Sequence, residues 1–536
     1  MLKAFKTDVK RTVIAAVPFI VLFTVVTLMD VLLQRDVQMQ FEQSFQGPFN
    51  IVLSYTVLTL KWGLLLSVPA LLFGRRARFF YYPFWSYLAL VETIEVVTRS
   101  SYGIVLDGDW LMIVFTSSAQ EFREFFGQFS WFGMLLTLLG FLTALGSGLF
   151  FFRRVRYPAV SKSSAIAGIL SFVPFVVYNL VLCNPLAAGN EVLYMFLPID
   201  TVHNYVMYTD IARTAREPRL PPNTLAAPER IQETLGAFVI GESATRTHWH
   251  LYGYDRPTTP MMERIRKELV VFKDVRATHP TTGKSLRMLL TEATRENPRE
   301  TRSTFSQQCS AAGYTCALFS SQSHWGRWEG VEPLIFAGCA TKYYLHEHND
   351  PAEVFDDALL PPAEKAVSSG SASGQIVFLH LMGSHTPPLL RYPSKRAIYP
   401  RYPGDVAPGI DDPNSFAAHK VDLYDNTISF TDLILSKIID MVKGQRRPSF
   451  LVYISDHGET PNSRNWRDES SSDMWTVPFI VWFSPEYRMR FPETVAAVTA
   501  MADEPRRLDQ ILPIFRVLVH LDSAESLLRH RPAKEE

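Results

Sequence analysis

Acidic and imidazole side chains follow three separate apolar runs of the chain, and together they could bind a metal ion. Glu242 follows the run GAFVIG, His385 follows IVFLHLMGS, and Asp456 and His457 follow FLVYIS. Deprotonated carboxylates and neutral imidazole are the oxygen and nitrogen donors that bind Zn²⁺ tetrahedrally. We therefore predict a zinc site with three ligands, Glu242, Asp456 and His457, which needs a fourth.

Two hydroxyl side chains near these residues are candidates for a metal-activated nucleophile. Ser243 directly follows Glu242, and Thr282 lies in RATHPTTGKSLRMLL, where a helical pattern starts near Gly283. A metal-bound hydroxyl is a better nucleophile because the metal stabilises its alkoxide form. The free backbone N–H groups of a helix N-terminus would favour a phosphate group beside Thr282. On the residues alone both hydroxyls remain candidates, and Thr282 could equally be a helix N-cap.

The elements that must position these residues have the pattern of an α/β domain. The three apolar runs, together with VPFIVWF near the end of the chain, are typical of strands buried on both faces of a sheet. Helical patterns lie between them, at 415–443, and after them, at 505–521. In open α/β sheets the active crevice lies at the carboxyl ends of the strands, where the polar segments fall. We therefore predict that these side chains converge at one edge of a sheet.

The N-terminal third of the chain consists of long apolar runs. Each run is close to the roughly 20 residues that cross about 30 Å of hydrocarbon. Five runs in succession leave no polar face for water, which argues against the buried helices of a soluble protein. We predict five transmembrane helices, at 12–33, 49–73, 79–98, 130–152 and 163–183. The predicted domains are a transmembrane domain at 1–183, a linker at 184–230 and a soluble α/β catalytic domain at 231–536.

The basic residues predict the orientation of these helices. Lys and Arg cluster before the first predicted span, between the second and third, and between the fourth and fifth, whereas the other two loops are poorer in them. By the positive-inside rule the N-terminus is cytoplasmic, and five crossings place the C-terminal domain outside the cytoplasm. The whole chain carries 53 basic and 53 acidic residues, so no excess charge indicates a nucleic-acid partner.

The four cysteines exclude a disulfide-rich scaffold in a chain of 536 residues. Cys309 and Cys316 lie close in sequence and could close a small loop in an oxidising compartment. Two buried thiols in neighbouring elements would fit the same spacing, and Cys339 could pair elsewhere or stay free.

Six motifs, in order along the chain, resemble those of the membrane-bound phosphoethanolamine transferases of Gram-negative bacteria. That family joins five transmembrane helices to a periplasmic domain of the sulfatase and alkaline-phosphatase fold. The form of the second motif, HPTT, and the TTP that ends the first are most similar to the subgroup acting on lipopolysaccharide core heptose. The motifs are FVIGESATRTHWHLYGYDRPTTP, FKDVRATHPTTGKSLRMLLT, GYTCALFSSQ, FLHLMGSH, YDNTISFTDLILSKII and YISDHGE.

The resemblance implies a role for each matching residue. It makes Glu242, Asp456 and His457 zinc ligands, and it makes Thr282 rather than Ser243 the nucleophile and the fourth ligand. A further histidine, His385 of the MGSH motif, would lie near the transferred phosphate. Gln322 and His324 fall in a segment that contacts the lipid headgroup in relatives.

The resemblance leaves the number of zinc ions open. Family members such as the colistin-resistance enzymes have another histidine soon after DHGE. This chain instead reads TPNSRNWRDESSSDMW, without a histidine. One Zn²⁺ ion is therefore expected, and a second one bound in the same way is in doubt.

The reaction implied by the resemblance is transfer of phosphoethanolamine from phosphatidylethanolamine to lipopolysaccharide, on core heptose or lipid A, through a covalent intermediate on Thr282. The expected partners are these lipids and the membrane, the expected location is the bacterial inner membrane with a periplasmic catalytic domain, and the expected state is a monomer. Two alternatives stay open: a phosphoglycerol transferase or another sulfatase-fold phosphodiester hydrolase, and a catalytically silent envelope protein that binds lipid or a partner.

Overall fold

The computed structural model of the protein describes two compact units, and each is treated by itself. The smaller unit contains the described residues up to 100 and from 131 to 166, and the larger unit contains residues 101–102 and all those from 213 onward. The described residues are 17–18, 21–22, 67–102, 131–157, 159–162, 166, 213–214, 216–219, 234–298, 301–322, 331–345, 354–368, 374–400, 413–463 and 470–529.

Two long helices dominate the described part of the smaller unit, α1 (Arg78–Tyr102) and α2 (Trp131–Arg154). They coincide with the third and fourth predicted spans, and the other three spans lie wholly or largely outside the described residues. Within those residues one helical stretch, Leu135–Arg154, is long and apolar enough to cross a membrane. Trp85 of α1 donates a hydrogen bond from Nε1 to the Ala144 carbonyl at 2.9 Å, so the two helices pack directly against each other.

The described part of the larger unit is built from nine strands and eleven α-helices. The strands are β1 (Leu235–Gly241), β2 (Leu269–Phe272), β3 (Val275–Arg276), β4 (Thr315–Ser320), β5 (Thr341–Tyr344), β6 (Gln375–His380), β7 (Ser449–Ser455), β8 (Phe479–Phe483) and β9 (Arg506–Arg507). The helices are α3 (Pro260–Arg264), α4 (Thr282–Leu290), α5 (Phe305–Ala311), α6 (Val331–Ile335), α7 (Leu360–Ser368), α8 (Pro413–Lys443), α9 (Ser472–Trp475), α10 (Pro485–Arg490), α11 (Pro492–Ala500), α12 (Leu512–Leu518) and α13 (Ala524–Arg529).

Seven of the strands form one sheet in the order β2-β8-β7-β1-β6-β4-β5. β8 runs antiparallel to β2 and β7, and the other neighbouring strands run parallel. The central strand β1 pairs with β6 on one side and β7 on the other, so three of the predicted strands are direct neighbours. Their carboxyl ends therefore meet at one edge, as the sequence predicted.

Helices cover both faces of this sheet, which explains why its central strands are apolar on both sides. Alternate residues of β1 point to opposite faces: Phe238 packs in the core that includes α4 and α12, and Val239 in the core that includes α8. All seven residues of β1 are buried, as are those of β6, β7 and β8. The predicted α/β fold of this unit is confirmed. The helical pattern at 505–521 is confirmed only in part, because β9 precedes the helix that begins at Leu512.

Of the cysteine arrangements that the sequence left open, a bond between Cys309 and Cys316 is not the one that forms. Cys316 of β4 is bonded to Cys339, which lies just before β5, and Cys309 is a free thiol buried in α5. Because β4 and β5 are neighbouring parallel strands, Cys316 and Cys339 lie close together. Spacing in sequence could not reveal this pairing, because the partners are set by strand order.

We predict that this pairing can be read directly from thiol counts. Alkylation of the denatured, unreduced protein should label Cys309, and two further labels, on Cys316 and Cys339, should appear only after reduction. Peptide mass mapping should then link the peptides of Cys316 and Cys339, and replacing both by serine should cost about 3 kcal/mol of stability through the loss of loop closure. A linked peptide containing Cys309 would contradict the structure.

Candidate metal centre

The carboxyl ends of β1 and β7 place three buried ligand side chains side by side. Gly241 is the register partner of Ser455, so the residues that follow, Glu242 and Asp456, leave neighbouring strands at the same level. Ligand atoms of Glu242, Asp456 and His457 all lie within 4.8 Å of one another. The structure thus brings together the three residues that the sequence suggested as metal ligands.

Short distances and hydrogen bonds fix the orientation of the side chains in this cluster. His457 Nε2 lies 3.4 Å from Glu242 Oε1 and 3.4 Å from Asp456 Oδ2. The other ring nitrogen, Nδ1, lies 2.8 Å from the Gly458 carbonyl, so it carries the proton and Nε2 is the acceptor. Asp456 Oδ1 accepts from the amides of His457 at 2.7 Å and Ser243 at 3.1 Å.

Thr282 lies at the first position of α4 and reaches this cluster. Its Oγ1 donates to Glu242 Oε2 at 2.9 Å. The N-cap of α4 is the preceding residue, Thr281, so Thr282 is not the plain cap that its segment alone allowed. Ser285, one turn into α4, fixes the helix to the cluster because its Oγ donates to the Asp456 carbonyl at 2.5 Å.

Ser243, the other candidate nucleophile, is fully buried beneath the cluster. Its backbone has a φ of 55°, in the left-handed region that non-glycine residues rarely adopt. Its Oγ donates to Glu242 Oε1 at 2.8 Å, so its hydroxyl holds a ligand instead of facing a substrate. Of the two hydroxyls, Thr282 alone is partly exposed.

The cluster is electrostatically incomplete without a cation. Burial, together with the nearby Asp456 carboxylate, raises the pKa of Glu242 to about 7, and burial also raises the pKa of Asp456. Asp456 Oδ2 is buried and accepts no hydrogen bond from any of the described residues. Two buried carboxylates beside a neutral imidazole nitrogen, with one orphaned oxygen, fit a divalent cation that prefers mixed oxygen and nitrogen donors.

The turn that carries His385 lies against the backbone of Glu242. The amide of Ser384 donates to the Glu242 carbonyl at 2.9 Å. Gly383 has a φ of 52°, and a Cβ added there would lie 2.8 Å from that carbonyl, so the close approach needs glycine. His385 is partly exposed, and its own carbonyl accepts from Arg391 Nε at 2.8 Å. The structure therefore places His385 at the same strand edge as the three ligands.

Of the two residues expected near a lipid headgroup, Gln322 and His324, the structure describes the first. Gln322 follows β4 and uses its Nε2 to bond the Leu381 carbonyl at 3.1 Å, so its amide joins two strand exits. His324 lies outside the described residues.

A buried acid and base pair near the centre was not among the predicted site residues. His380, the last residue of β6, has its Nδ1 2.7 Å from Glu332 Oε1, and both side chains are buried. Burial alone would lower the pKa of His380, but the carboxylates of Glu332, Glu242 and Asp456 together outweigh burial and raise it. The partner could not be found from sequence, because Glu332 is 48 positions away in α6.

The fold and the site define the class of this protein. Residues 237–513, just over half of the chain, match the family model described as Sulfatase. The chain belongs to the sulfatase family.

The chain is also similar to individual members of that class that transfer phosphoethanolamine. It is 28% identical to phosphoethanolamine transferase EptC of Escherichia coli over 267 residues, which cover 47% of this chain and 46% of the relative. It is 25% identical to Kdo(2)-lipid A phosphoethanolamine 7''-transferase of Escherichia coli over 300 residues, covering 54% and 51%. These relatives confirm the resemblance seen in the motifs. The chain spans about half the length of the curated relatives it matches.

A solved structure shares the fold over nearly the whole chain. It is the integral membrane protein lipooligosaccharide phosphoethanolamine transferase A of Neisseria meningitidis, with a TM-score of 0.68 and 16% identity. The match covers 96% of each chain.

We predict that Glu242→Gln stabilises the zinc-free protein while abolishing its response to zinc. The mutation removes a buried charge beside Asp456, so the free energy of unfolding without metal should rise by about 1–3 kcal/mol. The folded pKa of about 7 exceeds the ordinary 4.5, so the stability gain is absent below pH 4.5, grows between pH 4.5 and 7, and is full above pH 7.

Thermal unfolding of chelator-treated protein at pH 5 and pH 8, with and without added zinc, measures both effects. Wild type should gain about 2.7 kcal/mol at a zinc concentration of 100 Kd, and the variant should gain nothing. Glu263→Gln, at a half-exposed ion pair with Arg266, is the matched control and should behave as wild type. Equal zinc stabilisation of Glu242→Gln and wild type would rule out Glu242 as a ligand.

Proposed function

We propose that this protein transfers phosphoethanolamine from phosphatidylethanolamine to lipopolysaccharide, with Thr282 as the nucleophile. The observation that carries the proposal is the position of Thr282 Oγ1, 2.9 Å from Glu242 Oε2 and at the N-terminus of α4. A nucleophile, a metal-ligand cluster and free backbone N–H groups then face one phosphoryl group. The similarity to named phosphoethanolamine transferases supports the same reaction.

The residues that would hold a zinc ion are Glu242, Asp456, His457 and Thr282. Zinc, when bound, supplies positive charge that lowers the pKa of a ligated hydroxyl and neutralises developing charge on phosphoryl oxygens. The donor set is two carboxylates, one imidazole nitrogen and one hydroxyl, which suits a single Zn²⁺ ion.

In the first step Thr282 Oγ attacks the phosphorus of phosphatidylethanolamine. A bond forms between Oγ and phosphorus, and the bond between phosphorus and the glycerol oxygen breaks. Thr282 loses its proton, for which Glu242 Oε2 is the acceptor in the structure, and the leaving diacylglycerol oxygen takes up one proton. The N-terminal amides of α4 stabilise the non-bridging oxygens while phosphoethanolamine is carried on Thr282.

In the second step an acceptor oxygen on lipopolysaccharide attacks the same phosphorus. The new bond to the acceptor forms, the bond to Thr282 Oγ breaks, and the proton lost by the acceptor returns the hydroxyl to Thr282. One relative is named as a phosphoethanolamine transferase to Kdo(2)-lipid A, which supports an acceptor in the inner, lipid A-containing part of lipopolysaccharide. The motif forms HPTT and TTP support core heptose.

His385 and the exit of β4 complete the site in this proposal. The His385 imidazole, partly exposed at the ligand edge, stabilises the phosphoryl charge or transfers the proton to the leaving oxygen. Gln322 and His324 contribute to the headgroup side. Gln322 does so from a fixed position, because its side chain is bonded to the Leu381 carbonyl.

We further propose that the protein is a monomer of the bacterial inner membrane and that its chain crosses the membrane five times. The transmembrane domain is 1–183, the periplasmic linker 184–230 and the periplasmic catalytic domain 231–536. The apolar stretch Leu135–Arg154 and the fold likeness to an integral membrane protein support this organisation. Holding the catalytic domain at the surface that contains both lipid substrates would raise their effective concentration.

Intact mass of the detergent-purified protein after incubation with phosphatidylethanolamine tests the proposal. Wild type should gain one phosphoethanolamine group and release diacylglycerol, and Thr282→Ala should do neither. Thr281→Ala is the matched control, because it removes the neighbouring hydroxyl, whose Oγ1 instead contacts His279 Nδ1 at 2.9 Å. It should retain the adduct, as should Ser243→Ala if it folds.

The other outcomes separate the alternatives. An adduct of glycerol phosphate from phosphatidylglycerol would favour the phosphoglycerol transferase. Release of diacylglycerol without any covalent adduct on wild type would favour a hydrolase. A zinc-loaded protein that neither gains mass nor releases diacylglycerol would favour the silent binding protein and overturn the proposal.

A further inference from the structure

One face of α8 contacts the loops that follow β1, β6 and β7. These are the strands whose carboxyl ends lead to the metal ligands and to His385. Lys420, Tyr424 and Thr427 lie at positions i, i+4 and i+7, so they share one face of this helix, and Asp425 lies beside them. All four are buried although all four are polar. Polar side chains buried in a helix need partners, and here the partners are the exit loops of β1, β6 and β7.

Tyr424 holds the turn that follows Glu242. Its hydroxyl donates to the Ser243 carbonyl at 2.7 Å and accepts from the Thr245 amide at 2.7 Å. The backbone between these two groups includes the left-handed Ser243, whose conformation must be fixed by its surroundings. A single buried hydroxyl therefore closes the turn that aims the Glu242 carboxylate.

Lys420 and Asp425 hold the loop that follows Asp456 and His457. Lys420 Nζ donates to the Ser463 carbonyl at 2.7 Å. Asp425 Oδ1 lies 2.7 Å from His248 Nδ1, and His248 Nε2 lies 3.0 Å from Asn462 Nδ2. The Asp425 carboxylate fixes the proton on Nδ1, so Nε2 accepts from the Asn462 amide, and α8 reaches this loop at two successive residues.

Thr427 and the adjacent Asn426 hold the segment that carries His385. Thr427 Oγ1 lies 2.7 Å from Ser384 Oγ. Asn426 Oδ1 accepts from the amides of Ile398 and Tyr399, each at 2.8 Å. The third exit loop is thus attached to the same helix as the other two.

We propose that Lys420, Tyr424, Asp425 and Thr427 position the metal ligands, with Tyr424 making the largest contribution to metal affinity. The ligands come from strands far apart in sequence, and the shared attachment to one rigid helix sets their separation. Removing a group that orients a metal ligand typically lowers metal affinity 10–100-fold. The inference depends on the metal site proposed above, but not on the identity of the lipid substrates.

Tyr424→Phe in the full-length protein tests the inference. Zinc affinity, measured by competition with a chelator, should fall by about 10–100-fold. The visible absorption spectrum of the Co²⁺-substituted protein should also change, because Glu242 is no longer held in place. Tyr487→Phe is the matched control: it also removes a fully buried tyrosine hydroxyl, which bonds the Leu518 carbonyl at 2.7 Å within the core that includes α12. It should lower thermal stability while leaving the zinc affinity and the Co²⁺ spectrum unchanged.

Equal loss of thermal stability in both variants, with zinc affinity and Co²⁺ spectrum also unchanged in Tyr424→Phe, would overturn the inference. If Tyr424→Phe does not fold, Lys420→Met is tested in its place, because this substitution releases the Ser463 carbonyl and leaves the turn after β1 intact. A zinc affinity of Lys420→Met within twofold of wild type would then overturn the inference. A wild-type protein that binds no zinc would instead contradict the proposed function, so the two failures are distinguishable.

Discussion

The structure depends on holding two carboxylates and an imidazole together in a buried space at the end of a parallel sheet. At an effective dielectric constant near 20, two like charges about 4 Å apart repel by about 4 kcal/mol, so this arrangement opposes folding unless a cation or a proton intervenes. Three other features of the structure hold these groups in place despite the repulsion. Register places the ligands at the same level, Gly383 lets a third loop approach Glu242, and buried bonds from α8 hold each loop.

Burial also distinguishes the two hydroxyls that neighbour Glu242. Ser243 and Thr282 both donate to Glu242, one to each carboxylate oxygen. Ser243 is fully enclosed and follows a strand directly, whereas Thr282 begins a helix and remains partly exposed. The same carboxylate therefore has one neighbouring hydroxyl that is enclosed and one that is accessible, and only the second could reach a substrate. The residue types and spacing left both hydroxyls as candidates, and only the three-dimensional arrangement distinguishes the two without reference to relatives.

Much of the catalytic unit could be predicted from local patterns, because buried parallel strands have apolar runs and their polar ends must meet. Glu242, Asp456 and His457 were identifiable for that reason. The bond between Cys316 and Cys339 was not, since it depends on the order of strands in the sheet. Tyr424 and His380 were not among the predicted site residues for a related reason: each is hydrogen-bonded to a partner more than 40 positions away in sequence.

The disulfide between Cys316 and Cys339 encloses one stretch of the larger unit. The stretch it encloses includes Gln322 and His324, and it includes none of the three metal ligands or Thr282. Changes in the length or composition of that stretch are confined between two covalently joined strands, and the ligand-bearing strands β1 and β7 lie on the other side of β6. Insertions or substitutions between Cys316 and Cys339 can therefore alter the surface beside β4 and β5 without changing the length or register of the strands that lead to Glu242, Asp456 and His457.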